Sequence, residues 1–258
     1  MEMEIKGEWE PKVKQMHRSN TYGIIEGLLH EYGTWAGFQK VFYFTEMGPA
    51  PFSIISFHNK FLRQIRDSYT LGAFYPSLTG ACALGERILN QLILHLKDCF
   101  QSTPEYKRVH RKASIDNWEV AINTLEAWNV LLPDVATKFR ELMQLRHRSL
   151  HFNPETDTND HELALAAVKK LSEIIAGQFA AFGTQPWYFI ANGATFVKRS
   201  QETVPFVQRI ILPSCRLVGP LHTLEYKRNA WLVQDEHTYD DREVTDEEFA
   251  AMFTNRKT

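Results

Sequence analysis

Cysteine is scarce in this sequence, since the 258 residues contain only Cys82, Cys99 and Cys215. The three lie far apart and are odd in number, so they form neither a disulfide framework nor a CxxC pair. A reducing cytoplasm is therefore the expected compartment. The first residues, MEMEIKGEWEPK, are acidic and polar, which is not the pattern of a signal peptide.

Long apolar runs and a strong net charge are also missing. No stretch of about 18 uncharged apolar residues occurs, so we expect no membrane-spanning segment and no membrane partner. The net charge is only −2, which excludes a global basic field, so any nucleic acid must be held by a local patch. The GxSxG elbow and the phosphate-binding loop are absent as well, which argues against the enzyme families that use them.

What the sequence does contain is helical periodicity over its first 182 residues. SLTGACALGERILNQLILHLKD (77–98) carries one apolar stripe at spacings of three and four. Three further patterns, at 116–132, 133–152 and 159–182, also read as helices. Residues 1 to about 19 read as a polar lead-in with room for one short strand. The stretch 19–44 reads as two helices joined by a turn. Its first helix would be capped by Ser19 or Asn20. The stripe of 77–98 consists of Leu78, Cys82, Gly85, Leu89, Leu92 and Leu96.

The sequence pattern changes from helical periodicity to short alternating segments after about residue 183. Asn192-Gly193 between alternating apolar residues is a strong hairpin signal. FVQRIILPSC (206–215) and HTLEYKRNAWLVQD (222–235) read as further short strands. Thr245 is expected to cap a closing helical turn. We therefore predict a mainly α fold, an antiparallel helical bundle at 1–182, followed by a small β-rich extension at 183–258.

The stretch RHRSLH (146–151) is the unusual feature of the 133–152 helix. With Leu142 set at 0°, Arg146 falls at about 40°, inside the apolar arc. A buried guanidinium needs a partner, because an unpaired buried charge is very costly. Glu86 also lies inside an apolar arc, at about 60° from Leu89. We predict that Glu86 and Arg146 pair between two packed helices. The alternative is that Glu86 lies at the border of the apolar stripe and pairs with water or Arg87.

His151 falls in the last turn of that helix, before Pro154 ends it. The exposed carbonyls of a helix C-terminus favour a cation, and histidine exchanges a proton near neutral pH. Arg146 and His151 therefore have the chemistry of an oxyanion binder beside a general acid or base.

Arg146, the polar His147, three further residues and then His151 resemble the signature of the HEPN superfamily. The stretch FYPSLTGACALGERILNQLI (74–93) resembles the long helix that precedes the motif helix in such domains. The resemblance covers residues 50 to 180 and leaves the β-rich end outside it. His147 stands where the family most often has Asn or Asp.

The resemblance implies a metal-independent endoribonuclease, without a cofactor, in which the RNA 2′-hydroxyl attacks its own phosphodiester. Arg146 and His151 would be the catalytic residues, His147 would orient them, and Glu86 would hold the arginine. The resemblance also implies a homodimer with a composite cleft. Many members are toxins or defence effectors, so an inhibitor or antitoxin protein is a further partner to expect.

The loop YKRVHRK (106–112) concentrates positive charge beside an aromatic ring, Tyr106. For an RNA-cleaving enzyme it is the natural phosphate-tracking patch, and the tyrosine could stack on a base. The residues expected to bind RNA are Lys107, Arg108, Arg111, Lys112 and Arg148.

Three alternatives remain open at this point. His147 and His151 have a metal-ligand spacing, which Glu155, Asp157 or His161 could complete, although the flanking cations oppose a metal. The same stretch could also be a solvated basic helix end. Finally, the chain could be a non-catalytic HEPN-like module that binds RNA or a protein.

Overall fold

A computed structural model describes residues 5–150, 156–181, 183–191, 194–215, 223–227, 230–234 and 242–255. This part of the chain is mainly helical, as the periodicity predicts, and two short antiparallel hairpins lie near the C-terminal end. The α-helices are α1 (Pro11–Tyr32), α2 (Gly37–Glu46), α3 (Ser56–Thr70), α4 (Phe74–Leu96), α5 (Tyr106–Val109), α6 (Trp118–Ala127), α7 (Pro133–Leu150), α8 (Thr156–Phe179) and α9 (Asp246–Asn255). The strands are β1 (Tyr188–Ala191), β2 (Ala194–Val197), β3 (Thr223–Lys227) and β4 (Ala230–Gln234).

Helix α4 is the central element, and it packs against α3, α6, α7 and α8. Its stripe of leucines and small residues is buried, which confirms the predicted apolar face. Gly85 has a specific role on this face. A Cβ placed there would lie 2.8 Å from both the Trp118 ring and the Leu142 side chain, so the glycine permits α6 and α7 to approach closely.

The helix boundaries follow the sequence signals in several places. α7 begins at Pro133, where the missing N–H costs nothing. Asn117 caps α6 by accepting from the Val120 amide at 3.1 Å. Thr245 caps α9, because its hydroxyl accepts from the Glu248 amide at 3.1 Å. The predicted end of α7 near Phe152 lies outside the described residues.

The helix predicted at 159–182 begins earlier than expected, and residue 159 is a break within it. The helix already runs from Thr156, and Asn159 interrupts it with non-helical φ −131° and ψ 23°. The sequence therefore located the irregular position but not the turn of helix that precedes it.

The prediction for the N-terminal region is confirmed in part: α1 and α2 are two helices joined by a turn, but the start of the first helix and its cap are wrong. Residues 11–32 form one helix, which begins at Pro11 and runs through Ser19 and Asn20, so neither of these caps it. Leu28 is the one residue of α1 that is fully buried. A helix with so little buried surface has no clear apolar stripe, which explains why periodicity did not reveal its first part, residues 11–18.

Two other segments are also more helical than predicted. The basic loop contains the short helix α5 (Tyr106–Val109). FVQRIILPSC forms a π-helix (Val207–Ile211) and a 3₁₀ turn (Leu212–Ser214) instead of a strand. β-Branched residues favour strands only weakly, and here Val207 and Ile211, four apart on the same helical side, are both fully buried.

The hairpin predicted at Asn192-Gly193 is confirmed by its strands, since Ala191 pairs with Ala194 across the two residues. Residues beyond position 183 also join the main core, among them Trp187, Phe206, Val207 and Ile211. The division of the chain between residues 182 and 183 stays a prediction.

Candidate active site where helices α4, α6 and α7 meet

Glu86 of α4 and Arg146 of α7 form the centre of the candidate site. Arg146 Nη2 lies 3.2 Å from Glu86 Oε2, which confirms the predicted pairing of the two charges. Both lie on the sides of their helices that face each other, beside the close approach allowed by Gly85. Packing of the two apolar stripes therefore brings the charges together.

Trp118, the first residue of α6, is the third member of the site. Its indole Nε1 donates to Glu86 Oε2 at 3.1 Å. Its ring also lies under the guanidinium, with Arg146 Cζ 5.8 Å from the ring centroid. The one signal in the sequence is general, namely that a buried indole N–H needs an acceptor.

Exposure decides what Arg146 can do. Its side chain is 25% exposed and that of Glu86 is 34% exposed, so the pair is half-buried at the surface of the helices. Glu86 and the Trp118 ring hold the guanidinium, and a quarter of the Arg146 side chain is exposed to solvent. A fixed and partly open guanidinium is suited to receive a carboxylate or phosphate oxygen.

Asn90, one turn after Glu86, holds the approach to α6. Its side chain accepts from the Ile115 amide at 2.6 Å and donates to the Ile115 carbonyl at 3.1 Å. These bonds attach the segment before Trp118 to α4. They thereby set the position along the α4 axis at which the indole contacts Glu86.

The two other reactive side-chain types near Arg146 are not free to act as nucleophiles. Cys82 is fully buried, and burial raises the pKa of its thiol to about 12, which Glu86 reinforces and Arg146 opposes. The thiol therefore stays protonated and unreactive at neutral pH. The Ser149 hydroxyl donates back to the Leu145 carbonyl at 2.8 Å and is buried as well.

The histidines of the predicted motif are placed less fully. His147 and Arg148 are exposed on the last turn of α7. His151 lies outside the described residues, and so does Glu155. The pairing of Arg146 with His151 at one phosphate is therefore still a prediction.

The predicted RNA-binding residues of the basic segment are exposed on and after α5. Lys107, Arg108, Arg111 and Lys112 all present their side chains to solvent. Tyr106 stacks on His110, with ring centroids 5.1 Å apart. Between Arg146 and this segment there is no ion pair or hydrogen bond in the described parts of the chain.

The alternative metal site is not assembled by the residues that can be seen. His161 belongs to a different cluster, because its Nε2 lies 2.9 Å from Glu46 Oε1, which also accepts from the Tyr69 hydroxyl at 2.7 Å. Within the described ranges, no group of three or more His, Cys, Asp or Glu side chains could hold a metal ion. His151 and Glu155 are outside those ranges.

Comparison with known proteins yields no match among family models, curated protein sequences or solved structures. None of the described helices has both the length and the apolar character needed to cross a membrane.

Proposed function

We propose that this chain is a metal-independent endoribonuclease with a HEPN-like helical bundle, in which Arg146 binds the scissile phosphate and His151 transfers protons. The observation that carries the proposal is the geometry of Arg146. It is held between the Glu86 carboxylate and the Trp118 ring, yet a quarter of it is exposed at the C-terminal end of α7. A purely structural ion pair in this position would not need an arginine followed by a histidine-rich turn.

The chemistry requires no cofactor. The 2′-hydroxyl of RNA loses its proton to a base and attacks the adjacent phosphorus, and the bond to the 5′-oxygen breaks. That oxygen leaves with a proton, so the products are a 2′,3′-cyclic phosphate and a 5′-hydroxyl. His151 supplies proton transfer, and Arg146 stabilises the charge that builds up on the phosphate oxygens. DNA lacks the nucleophile and is not cleaved.

Glu86 and Trp118 are positioning residues in this scheme. By fixing the guanidinium before substrate arrives, they reduce the reorganisation needed in the transition state. His147, exposed on the same turn, is the residue that would orient the pair. On an ideal helix Arg146 and His151 are about 140° apart, so we propose that two protomers contribute to one composite cleft.

The exposed cations after α5 support RNA as the substrate. Lys107, Arg108, Arg111 and Lys112 form a local basic surface on a chain whose net charge is −2. Phosphate contacts of this kind position a nucleic acid without reading its sequence. The same surface also favours the second candidate function, a non-catalytic module that binds RNA.

The test uses purified protein and labelled structured RNA in the presence of EDTA. Wild-type protein should cleave the RNA and leave a DNA strand of the same sequence intact. His151→Ala should abolish cleavage and keep the circular dichroism spectrum of the wild type. The matched control is His30→Ala, which removes an exposed histidine from α1 and should keep full activity.

The outcomes separate the candidates. Cleavage that persists in His151→Ala contradicts the assignment of that histidine, and loss of wild-type cleavage in EDTA contradicts the metal-independent mechanism. If neither protein cleaves any of several RNAs, a measurement of RNA affinity tests the second candidate function, a non-catalytic module that binds RNA. That module should keep its affinity in His151→Ala and lose it when the four exposed cations are replaced by glutamine.

A further inference from the structure

A separate pocket lies on the side of α4 that faces away from the candidate active site. It has a volume of about 580 Å³. Ile88, Gln91 and His95 line it, and at 100° per residue they lie about 140° to 200° around the helix from Glu86. The pocket is therefore distinct from the Glu86–Arg146 pair, and the inference below does not depend on ribonuclease activity.

The walls of the pocket come from segments that are distant in sequence. One wall is the segment 54–58, which is fastened to the end of α8 because the Ile54 amide donates to the Phe179 carbonyl at 2.9 Å. The opposite wall is the segment 209–214, which includes the end of the π-helix. π-Helical turns are rare and occur often at functional sites.

His58 presents a buried neutral donor to this pocket. Its ring is only 2% exposed, and its Nδ1 lies 3.0 Å from the Ser53 hydroxyl. That hydroxyl accepts from the Ile55 amide at 3.1 Å and has its own proton to donate to Nδ1. In the tautomer that accepts this proton at Nδ1, the ring proton is on Nε2, which has no hydrogen-bond partner among the described residues.

Burial keeps this histidine uncharged, because it lowers the pKa of His58 from 6.5 to about 3. The side chain therefore offers the pocket a fixed N–H without a full charge. Because this N–H has no protein partner in the described ranges, it can donate to an acceptor atom of a ligand in the pocket.

The permanent charge of the pocket comes from Arg209. No Asp or Glu belongs to the described lining, and Arg209 makes no ion pair with any residue in the described ranges. His95 adds a second ring at the rim, held by a 2.7 Å contact between Nδ1 and the Gln91 carbonyl. Arg209 is thus the permanent charge of the described lining, and it is positive.

Apart from two serines and Gln91, the rest of the lining is apolar or aromatic, with Phe57, Phe179, Ile88 and Ile210 among its members. A volume within the usual range of about 300–1,000 Å³, apolar walls and a few convergent polar groups are the general features of small-molecule sites.

We propose that this pocket binds a small organic monocarboxylate with an aromatic or branched apolar body, its carboxylate held by Arg209 and the His58 Nε2–H. One permanent positive charge matches one negative charge, which favours a carboxylate over a doubly charged phosphate monoester. The apolar body occupies the space between the aromatic walls and α4.

Calorimetric titration of the full chain with 2-naphthoate at pH 7.5 tests the proposal. We expect saturable binding with a stoichiometry near one. The neutral analogue 2-naphthalenemethanol and the dianion 2-naphthyl phosphate should both bind more weakly. Arg209→Gln should lower the affinity for 2-naphthoate at least about tenfold, because it removes a hydrogen bond to a charged group.

Two further variants keep the test decisive. Gln91→Trp places a large ring inside the pocket and should abolish binding, whereas Arg18→Gln removes an exposed arginine of α1 and should change nothing. The proposal is overturned if wild-type protein gives no saturable heat with millimolar 2-naphthoate, or if the alcohol or the phosphate binds as tightly. It is also overturned if both pocket variants bind 2-naphthoate as the wild type does.

Discussion

His58 gives the sharpest prediction about stability, because its burial couples folding to pH. The pKa of its imidazole is lowered to about 3 in the folded chain, against 6.5 for an accessible histidine. Above pH 6.5 both folded and unfolded chains hold it neutral, so it has no effect on the free energy of unfolding. Between pH 6.5 and 3 the unfolded chain binds a proton that the folded chain does not bind, so stability falls as the pH falls.

The size of the effect follows from the distance between the two pKa values. At pH 5 the proton bound by the unfolded chain lowers the free energy of unfolding by about 2 kcal/mol. Below pH 3 the loss would approach about 5 kcal/mol. The asparagine of His58→Asn cannot titrate, but its amide can still form a hydrogen bond with the Ser53 hydroxyl. The variant should therefore lack the part of the pH-dependent loss of stability that is due to His58.

The assay is urea denaturation followed by circular dichroism at pH 7.5 and pH 5.0. Wild-type protein should lose about 2 kcal/mol more between these pH values than His58→Asn loses. The control His30→Asn, on the exposed surface of α1, should keep the wild-type pH dependence. An equal loss in wild type and His58→Asn would refute the reasoning, because it would mean that folding leaves His58 free to take up a proton.

Two further predictions concern the packing of α4. Glu86→Gln keeps an acceptor for the Trp118 indole but removes the charge that faces Arg146, so the melting temperature should fall by about 2–4 °C. In a double-mutant cycle with Arg146→Met, additive effects of the two changes would contradict the pairing. Gly85→Ala puts a methyl group 2.8 Å from both the Trp118 ring and Leu142, and it should destabilise the protein by about 1–3 kcal/mol despite its better helix propensity. The control Gly23→Ala, with nothing within 4 Å, should be neutral or stabilising in urea denaturation, and equal behaviour of the two alanines would contradict the close approach.

The central helix and the ion pair could be predicted because each leaves a local trace in the sequence. About five turns of a regular apolar stripe reveal α4, and a charged side chain inside an apolar arc needs a partner. Glu86 and Arg146 both break their stripes at positions that face inwards, and the structure joins them at 3.2 Å. The hydrogen bond from Trp118 to Glu86 could not be predicted, because a single indole N–H produces no periodic pattern in the sequence.

The remaining features depend on contacts that no local pattern encodes. Helix α1 buries little surface and so shows no stripe, and residues 207–211 are helical although their composition favours a strand. The pocket near His58 combines segments around residues 54, 91, 179 and 209, which only the packed fold brings together. In the sequence alone, His58 is a histidine near the start of α3 with nothing to mark it.

The most direct test of the proposed activity is the chemical identity of the RNA ends made in EDTA, read by mass spectrometry. Attack by the 2′-hydroxyl predicts 2′,3′-cyclic phosphate and 5′-hydroxyl ends with wild-type protein. Arg146→Ala should yield none of them, because the phosphate then loses its fixed cation. Products with 3′-hydroxyl ends, or cyclic phosphates formed equally by Arg146→Ala, would contradict the account.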